Sequence, residues 1–206
     1  MVHLKAPIKG FYMRSGFIIR SYLPERLCCT LFDIREGLIF CSFCARHTFP
    51  RCINGSFIEA ETSPRSPYLL QRVNMVRQPA CWVTKDLLFL HHFLEISASF
   101  LALNEPYPEL VSLFAHLFRP LPDGIQEIDF KLAFMGSFFL AIGIYPEHFR
   151  TNPNFLISRL QDTMVNERKG AVNRSLMIEW LHHCIETHPS AHFFKTTTFL
   201  KQIGQT

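Results

Sequence analysis

At 206 residues the chain has length for one large domain or two small ones, and 48% hydrophobic against 18% charged residues excludes a disordered polymer. The net charge of +4 hides an asymmetry. Residues 1–84 hold 11 Lys+Arg and 5 Asp+Glu, for +6, whereas residues 85–206 hold 10 and 12, for −2. A basic module joined to a near-neutral one points to a polyanionic partner for the first.

Seven cysteines (Cys28, Cys29, Cys41, Cys44, Cys52, Cys81 and Cys184) are odd in number and uneven in spacing. The opening MVHLKAPIKGFYMRSGF is basic but has no long apolar stretch, so it does not read as a secretory signal. Together these predict a cytoplasmic chain with reduced thiols rather than a disulfide framework. The longest apolar stretch, Leu132–Tyr145, is interrupted by Gly136, Ser137 and Gly143. It is too short to span a bilayer and reads as a buried helix, with no membrane association expected.

In chain order, Gly16–Tyr22 is a β-prone run broken by Pro24 and Glu25, and Leu27–Phe32 is a second one. Asp33–Gly37 is a turn, and Leu38–Cys44 continues as a third strand. Arg46–Asn54 reads as loop and Ser56–Glu61 as a fourth strand. Ser63–Pro67 is a proline-bearing loop, and Tyr68–Arg77 reads as a fifth strand. Several short strands with tight turns predict a small β-barrel over residues 1–79. The pattern then changes. Thr84 is placed to cap a helix running to about Leu103, with Leu87, Leu88, His91, Leu94 and Ala98 on its apolar face. Pro106–Phe118, Ile125–Ile144, Asn152–Met164, Ser175–His188 and Thr197–Ile203 complete an all-α domain over residues 80–206. The fold class is therefore α+β.

Few residue patterns carry catalytic chemistry. Cys41-Ser-Phe-Cys44 with His47 and Cys52 supplies four donors of the kinds zinc prefers. A strand through Leu38–Cys44 points Cys41 and Cys44 to opposite faces, however, so buried thiols are expected and no metal is assigned. The pairs His91-His92 and His182-His183 sit on predicted helices, where neighbours diverge by about 100° and do not chelate. No phosphate loop, nucleophile elbow or metalloprotease motif occurs, so no enzyme activity and no cofactor are expected. What remains is a basic N-terminal third, with Lys5, Lys9, Arg14, Arg20, Arg26, Arg35, Arg46 and Arg51 interleaved with Phe11, Tyr12, Phe17, Tyr22, Phe40, Phe43 and Phe49. Cations that follow phosphates and rings that stack bases are the two requirements of single-stranded nucleic-acid binding. Of these, Lys9, Arg14, Arg20, Arg35, Arg46 and Arg51 are the candidate contacts.

The segment Gly16–His47 also resembles the opening of the RecO family of bacterial recombination mediators. The resemblance rests on a first strand Phe17–Tyr22, the turn at Glu25, Leu31-Phe32, Gly37 and the basic segment Ala45-Arg46-His47. Phe130–Pro146, ending Ile142-Gly143-Ile144-Tyr145-Pro146, is similar to the family's long apolar helix. Ile178–Ile203, with Trp180-Leu181-His182-His183, Lys195-Thr196 and Phe199-Leu200, is similar to its closing segment. The chain departs from the pattern in having no cysteine over Arg150–Asn173, where many members carry a four-cysteine zinc module. The resemblance implies an OB-fold at the N-terminus and a helical C-terminal domain. It further implies binding of single- and double-stranded DNA, strand annealing, contact with RecR and with the C-terminal tail of single-strand-binding protein, and through these the loading of RecA. The competing expectation is a non-enzymatic interaction adaptor that binds no nucleic acid.

Overall fold

The computed structural model describes residues 11–23, 25–44, 53–144 and 174–203, side chains at 81, 82 and 201–203 excepted. The chain divides into two compact units. One is Met1–Pro79 with Leu101–Pro108, and the other is Ala80–Phe100 with Glu109–Thr206. The division at residue 79 expected from the sequence therefore leaves out an excursion: Leu101–Pro108 returns to the first unit. There Leu103 bridges Leu38, and the Asn104 N–H donates to the Leu38 carbonyl at 2.9 Å.

The first unit is built from β1 (Tyr12–Ser21), β2 (Cys28–Asp33), β3 (Gly37–Phe43), β4 (Phe57–Ser63) and β5 (Ser66–Arg77). Alternation puts Ile18, Leu31, Ile39, Cys41, Phe43, Ile58, Ala60, Leu70 and Val73 on one face, where they form its core. The polar stretch expected as a loop over Ser63–Pro67 shrinks to a two-residue turn at Pro64-Arg65, with Ser63 opposite Ser66. Strands neighbour one another in the order β1-β2-β3-β5-β4, and β1 also pairs antiparallel with β4. The ring of pairing closes through a parallel seam of two register pairs between β3 and β5, Ser42↔Leu69 and Phe43↔Leu70.

The pairing thus closes a mixed five-stranded sheet into a ring, where the sequence predicts a small barrel of OB-fold type. The first unit is a mixed five-stranded sheet, and the chain continues into several α-helices. Strand count and tight turns, which suggest a barrel, decide only which consecutive strands form hairpins. They do not decide how distant strands meet, and here that junction is short and parallel.

In the second unit α1 (Cys81–Lys85) precedes α2 (Leu87–Phe100), α3 (Pro108–Ala115) runs into a 3-10 turn at His116–Phe118, and α4 spans Glu127–Ala141. Further along the chain come α5 (Arg174–Glu186), a 3-10 turn at Ala191–Phe193, and α6 (Lys195–Ile203). The helix expected over 152–164 lies outside the described residues. The single helix expected from Thr84 is in fact two. Asp86 breaks the run and accepts a hydrogen bond from the Phe89 N–H at 3.0 Å, the bond an N-cap makes. The apolar face of α2 is also rotated from the expected one. Leu87, Leu88, His91 and Ala98 are exposed, whereas Phe89, Leu90, His92, Phe93, Leu94, Ile96 and Ser97 are buried.

Aromatic packing dominates this unit's interior. The Phe93 ring lies 4.7 Å from Phe134, 5.2 Å from Phe114 and 5.6 Å from Phe138, centroid to centroid. Edge and tilted contacts of this kind stabilise beyond the area they bury. The α4 helix ends in a Schellman arrangement. The Ile144 N–H reaches the Phe139 carbonyl and the Gly143 N–H reaches that of Leu140, with Gly143 at φ +75°. Among the described residues, no helix is long and apolar enough to cross a membrane.

Candidate functional site

The candidate basic residues separate sharply once placed on the sheet. Lys9, Arg46 and Arg51 lie outside the described residues. Arg14 points inward from β1 and is 8% exposed. Its Nη1 donates to Asp33 Oδ2 at 3.0 Å and its Nη2 to Glu36 Oε1 at 2.9 Å, and its guanidinium sits 5.3 Å from the Tyr68 ring centroid. Burial works against its charge. The hydrogen bond to Glu36 and the charges of Asp33 and Glu36 outweigh that, and its pKa stands above the ordinary guanidinium value. A guanidinium committed in this way is not open to a phosphate, so Arg14 drops out as a surface contact.

Arg20 points the other way, and a β-bulge is the reason. On β1, Ile18 pairs with Leu31 and Arg20 pairs with Thr30, leaving Ile19 as the extra residue. Strict alternation would put Arg20 on the same face as core residue Ile18. The inserted residue turns it to the outer face instead, as bulges do. There it begins a row across three strands, because Thr30 also pairs with Phe40 on β3. Tyr22 completes the group. Its ring is 5.0 Å from the Arg20 guanidinium carbon and 6.0 Å, tilted by 60°, from the Phe40 ring. Phe40 is 55% exposed, so with Tyr22 beside it the group presents aromatic surface to solvent.

The turn after Tyr22 adds Arg26, one of the basic residues of the N-terminal third but not one of the six candidate contacts. The Arg26 N–H donates to the Tyr22 carbonyl at 2.9 Å, and Arg26 is exposed. The signal that would have ranked it with the six is its place directly after the Pro24-Glu25 break, close to Tyr22. Arg35 is exposed in the β2–β3 turn at the end of the hairpin. Asp33 Oδ1 accepts the N–H groups of Arg35 and Glu36 at 2.8 and 3.1 Å, which sets the turn that presents Arg35. The structure thus brings Arg20 together with Tyr22, Phe40 and Arg26, and places Arg35 at a separate point on the same hairpin.

The CxxC cysteines diverge. Cys41 lies in the core opposite Cys29, and Cys44 follows the end of β3, half-buried. Burial, opposed by Arg14, pushes the Cys41 thiol up to about 12, away from the thiolate that metal binding and nucleophilic attack require. His47 and Cys52 lie outside the described residues. Among the described residues no group of three or more His, Cys, Asp or Glu side chains is arranged to hold a metal ion.

No family model matches the chain, and no curated protein matches it.

Proposed function

We propose that the chain binds nucleic acid through the outer face of β1–β3 and acts as a DNA recombination and repair mediator in the cytoplasm. The observation that carries this reading is Arg20, turned outward by the bulge into a row with Thr30 and exposed Phe40, in a segment of net charge +6. Exposed Arg26, in the turn after Tyr22, and exposed Arg35, in the β2–β3 turn, add further positive charge to the unit. Arginines neutralise phosphates and release condensed counterions, giving affinity with little sequence preference. Annealing asks little more, since two strands held with their charges screened can pair. The ordered segments that resemble the RecO family support the wider role: binding single- and double-stranded DNA, contacting RecR and the tail of single-strand-binding protein, and so aiding RecA. Cys28, Cys41, Cys44 and Cys184 as thiols suit a reducing compartment.

The test is fluorescence anisotropy with a labelled single strand of about 30 nucleotides, longer than the roughly 4–16 that one small β domain covers. Titrations run from about 50 to 200 mM salt. Binding is expected to weaken steeply with salt. Arg20→Ala with Arg35→Ala should flatten the logarithmic slope by about 0.7 for each phosphate that is no longer neutralised. Absence of binding at the low-salt end sinks the reading. The second reading, an interaction adaptor without nucleic-acid binding, draws on the second unit, where Leu87, Leu88 and Phe193 are 63%, 62% and 75% exposed. It is the reading left standing by that negative result.

A further inference from the structure

We infer that Tyr22 and Phe40, with Arg20, form a seat for an unpaired nucleobase and its neighbouring phosphate, so that the sheet unit selects single-stranded over duplex nucleic acid. The inference rests on the nucleic-acid reading and assigns two residues that charge alone does not pick out.

The geometry supports a stacking site. The Arg20 guanidinium carbon lies 5.0 Å from the Tyr22 ring centroid, and the Phe40 ring lies 6.0 Å from that of Tyr22, tilted by 60°. Phe40 is 55% exposed, so the cluster presents a ring to solvent on which a further flat group can be laid. A base is a flat π-system of matching size and can extend the cluster, gaining dispersion and the hydrophobic benefit of covering Phe40. Its backbone phosphate then comes within reach of exposed Arg20, whose guanidinium lies on Tyr22, with exposed Arg26 in the turn that follows. That charge complementarity favours a nucleotide strand over an aliphatic peptide segment, which would cover the ring but leave the arginines without anions.

Selectivity follows from what a duplex hides. In a double helix every base face is already stacked on its neighbours, and only base edges and phosphates are presented. A duplex can therefore use the arginines but not the ring face of Phe40. Base–aromatic stacking tolerates any sequence, because every base has a π-face, so the preference is for unpaired over paired strands rather than for one base.

The experiment uses the full chain and compares a single-stranded oligonucleotide with the matching duplex, both by anisotropy at about 50 mM salt. A second probe carries 2-aminopurine, whose emission changes when it stacks. Phe40→Leu keeps apolar bulk on β3 and removes the ring. It is expected to weaken single-strand binding by about tenfold, within the range for removal of one base stack. Duplex binding and the salt slope should stay as they were, and the 2-aminopurine response should disappear. Tyr22→Leu is an independent variant expected to act in the same direction, and it carries the test if Phe40→Leu does not fold. If a folded variant leaves single-strand affinity unchanged, or lowers single-strand and duplex affinity equally, the stacking seat is overturned while the nucleic-acid reading stands. Failure of the unmodified chain to bind either oligonucleotide overturns both.

Discussion

Arg14 on β1 and Asp33 at the end of β2 form an ion pair at 3.0 Å with exposures of 8% and 3%. The two oxygens of Asp33 divide their work. Oδ2 takes the guanidinium, while Oδ1 accepts two backbone N–H groups of the turn that follows. The pair therefore joins the interior of the sheet to the conformation of the β2–β3 turn. Replacing Asp33 with Ala leaves a buried guanidinium with Glu36 as its remaining ion-pair partner and releases the turn. Removing one member of a buried pair costs about 3–5 kcal/mol. The ion pair to Glu36, which stays in place, argues for the lower end. Urea unfolding followed by circular dichroism checks this, and a destabilisation below about 1 kcal/mol would show that the pair is not holding the turn.

Gly37 and Gly143 make a matched comparison. Both have positive φ, +78° and +75°. A Cβ at Gly37 would lie 1.7 Å from the backbone oxygen of Glu105, whereas one at Gly143 would meet nothing within 4 Å. Gly143→Ala should thus cost only the left-handed backbone preference, about 1 kcal/mol. Gly37→Ala must also displace the Leu101–Pro108 segment from the sheet. It should cost more than about 2 kcal/mol, since strain alone reaches about 1–3. Equal destabilisation of the two variants in thermal or urea unfolding would contradict the close approach of Glu105.

These residues also show what can be read from the sequence. The strands are legible because alternation and turn residues act locally: Asp33–Gly37 and the Pro64 region mark the hairpins. The inward turn of Arg14 is not legible, because its partners lie 19 and 22 positions away and only pairing brings them close. Arg20 stands out in the sequence as a candidate cation, but the cause of its exposure, one extra residue at Ile19, leaves no local signature. The buried face of α2 is ambiguous in the sequence because large apolar side chains surround that helix, so that the packing partners Phe114, Phe134 and Phe138 decide which face is covered. The arrangement of distant strands is non-local in the same sense: the parallel pairing that closes the ring joins Ser42 to Leu69 and Phe43 to Leu70, far apart in the chain.

Asp86 links two helices in the second unit through Lys131, a lysine buried on α4 that also pairs with Glu127. Burial alone would raise the Asp86 pKa. The hydrogen bonds from Lys131 and from the Phe89 N–H, with the lysine charge, outweigh it and hold the pKa below the usual aspartate value. A carboxylate depressed in the folded state contributes stability above its unfolded pKa of about 3.9, and loses that contribution as pH falls through the folded value. Asp86→Asn should therefore destabilise the chain at pH 6, with the gap from the parent narrowing below about pH 4. Urea midpoints measured across that range test it. A gap that stays constant with pH would mean that Asp86 acts as a helix cap alone and not through its charge.

His92 on α2 runs the opposite way in sign of charge. It is buried, its ring stacks on Phe199 of α6 at 4.6 Å, and Thr196 Oγ1 lies 3.4 Å from its Nδ1. Burial lowers its pKa below 6.5. The Glu95 carboxylate opposes this at 3.8 Å, and neighbouring His91 reinforces it. Glu95 is itself occupied, because its Oε2 accepts from the Thr196 hydroxyl at 2.9 Å and from the Thr196 N–H at 3.2 Å, tying the start of α6 to α2. The folded state therefore holds His92 neutral at pH values where the unfolded chain binds a proton. Between the folded pKa and about 6.5 the unfolded state carries more protons, so stability falls as pH is lowered through that window and levels off beneath it. His92→Gln removes the titration while keeping a polar side chain. The parent should lose more stability than this variant between about pH 7 and pH 5, the interval that brackets an ordinary histidine. Parallel curves for the two proteins would show that protonation of His92 does not govern the α2–α6 junction.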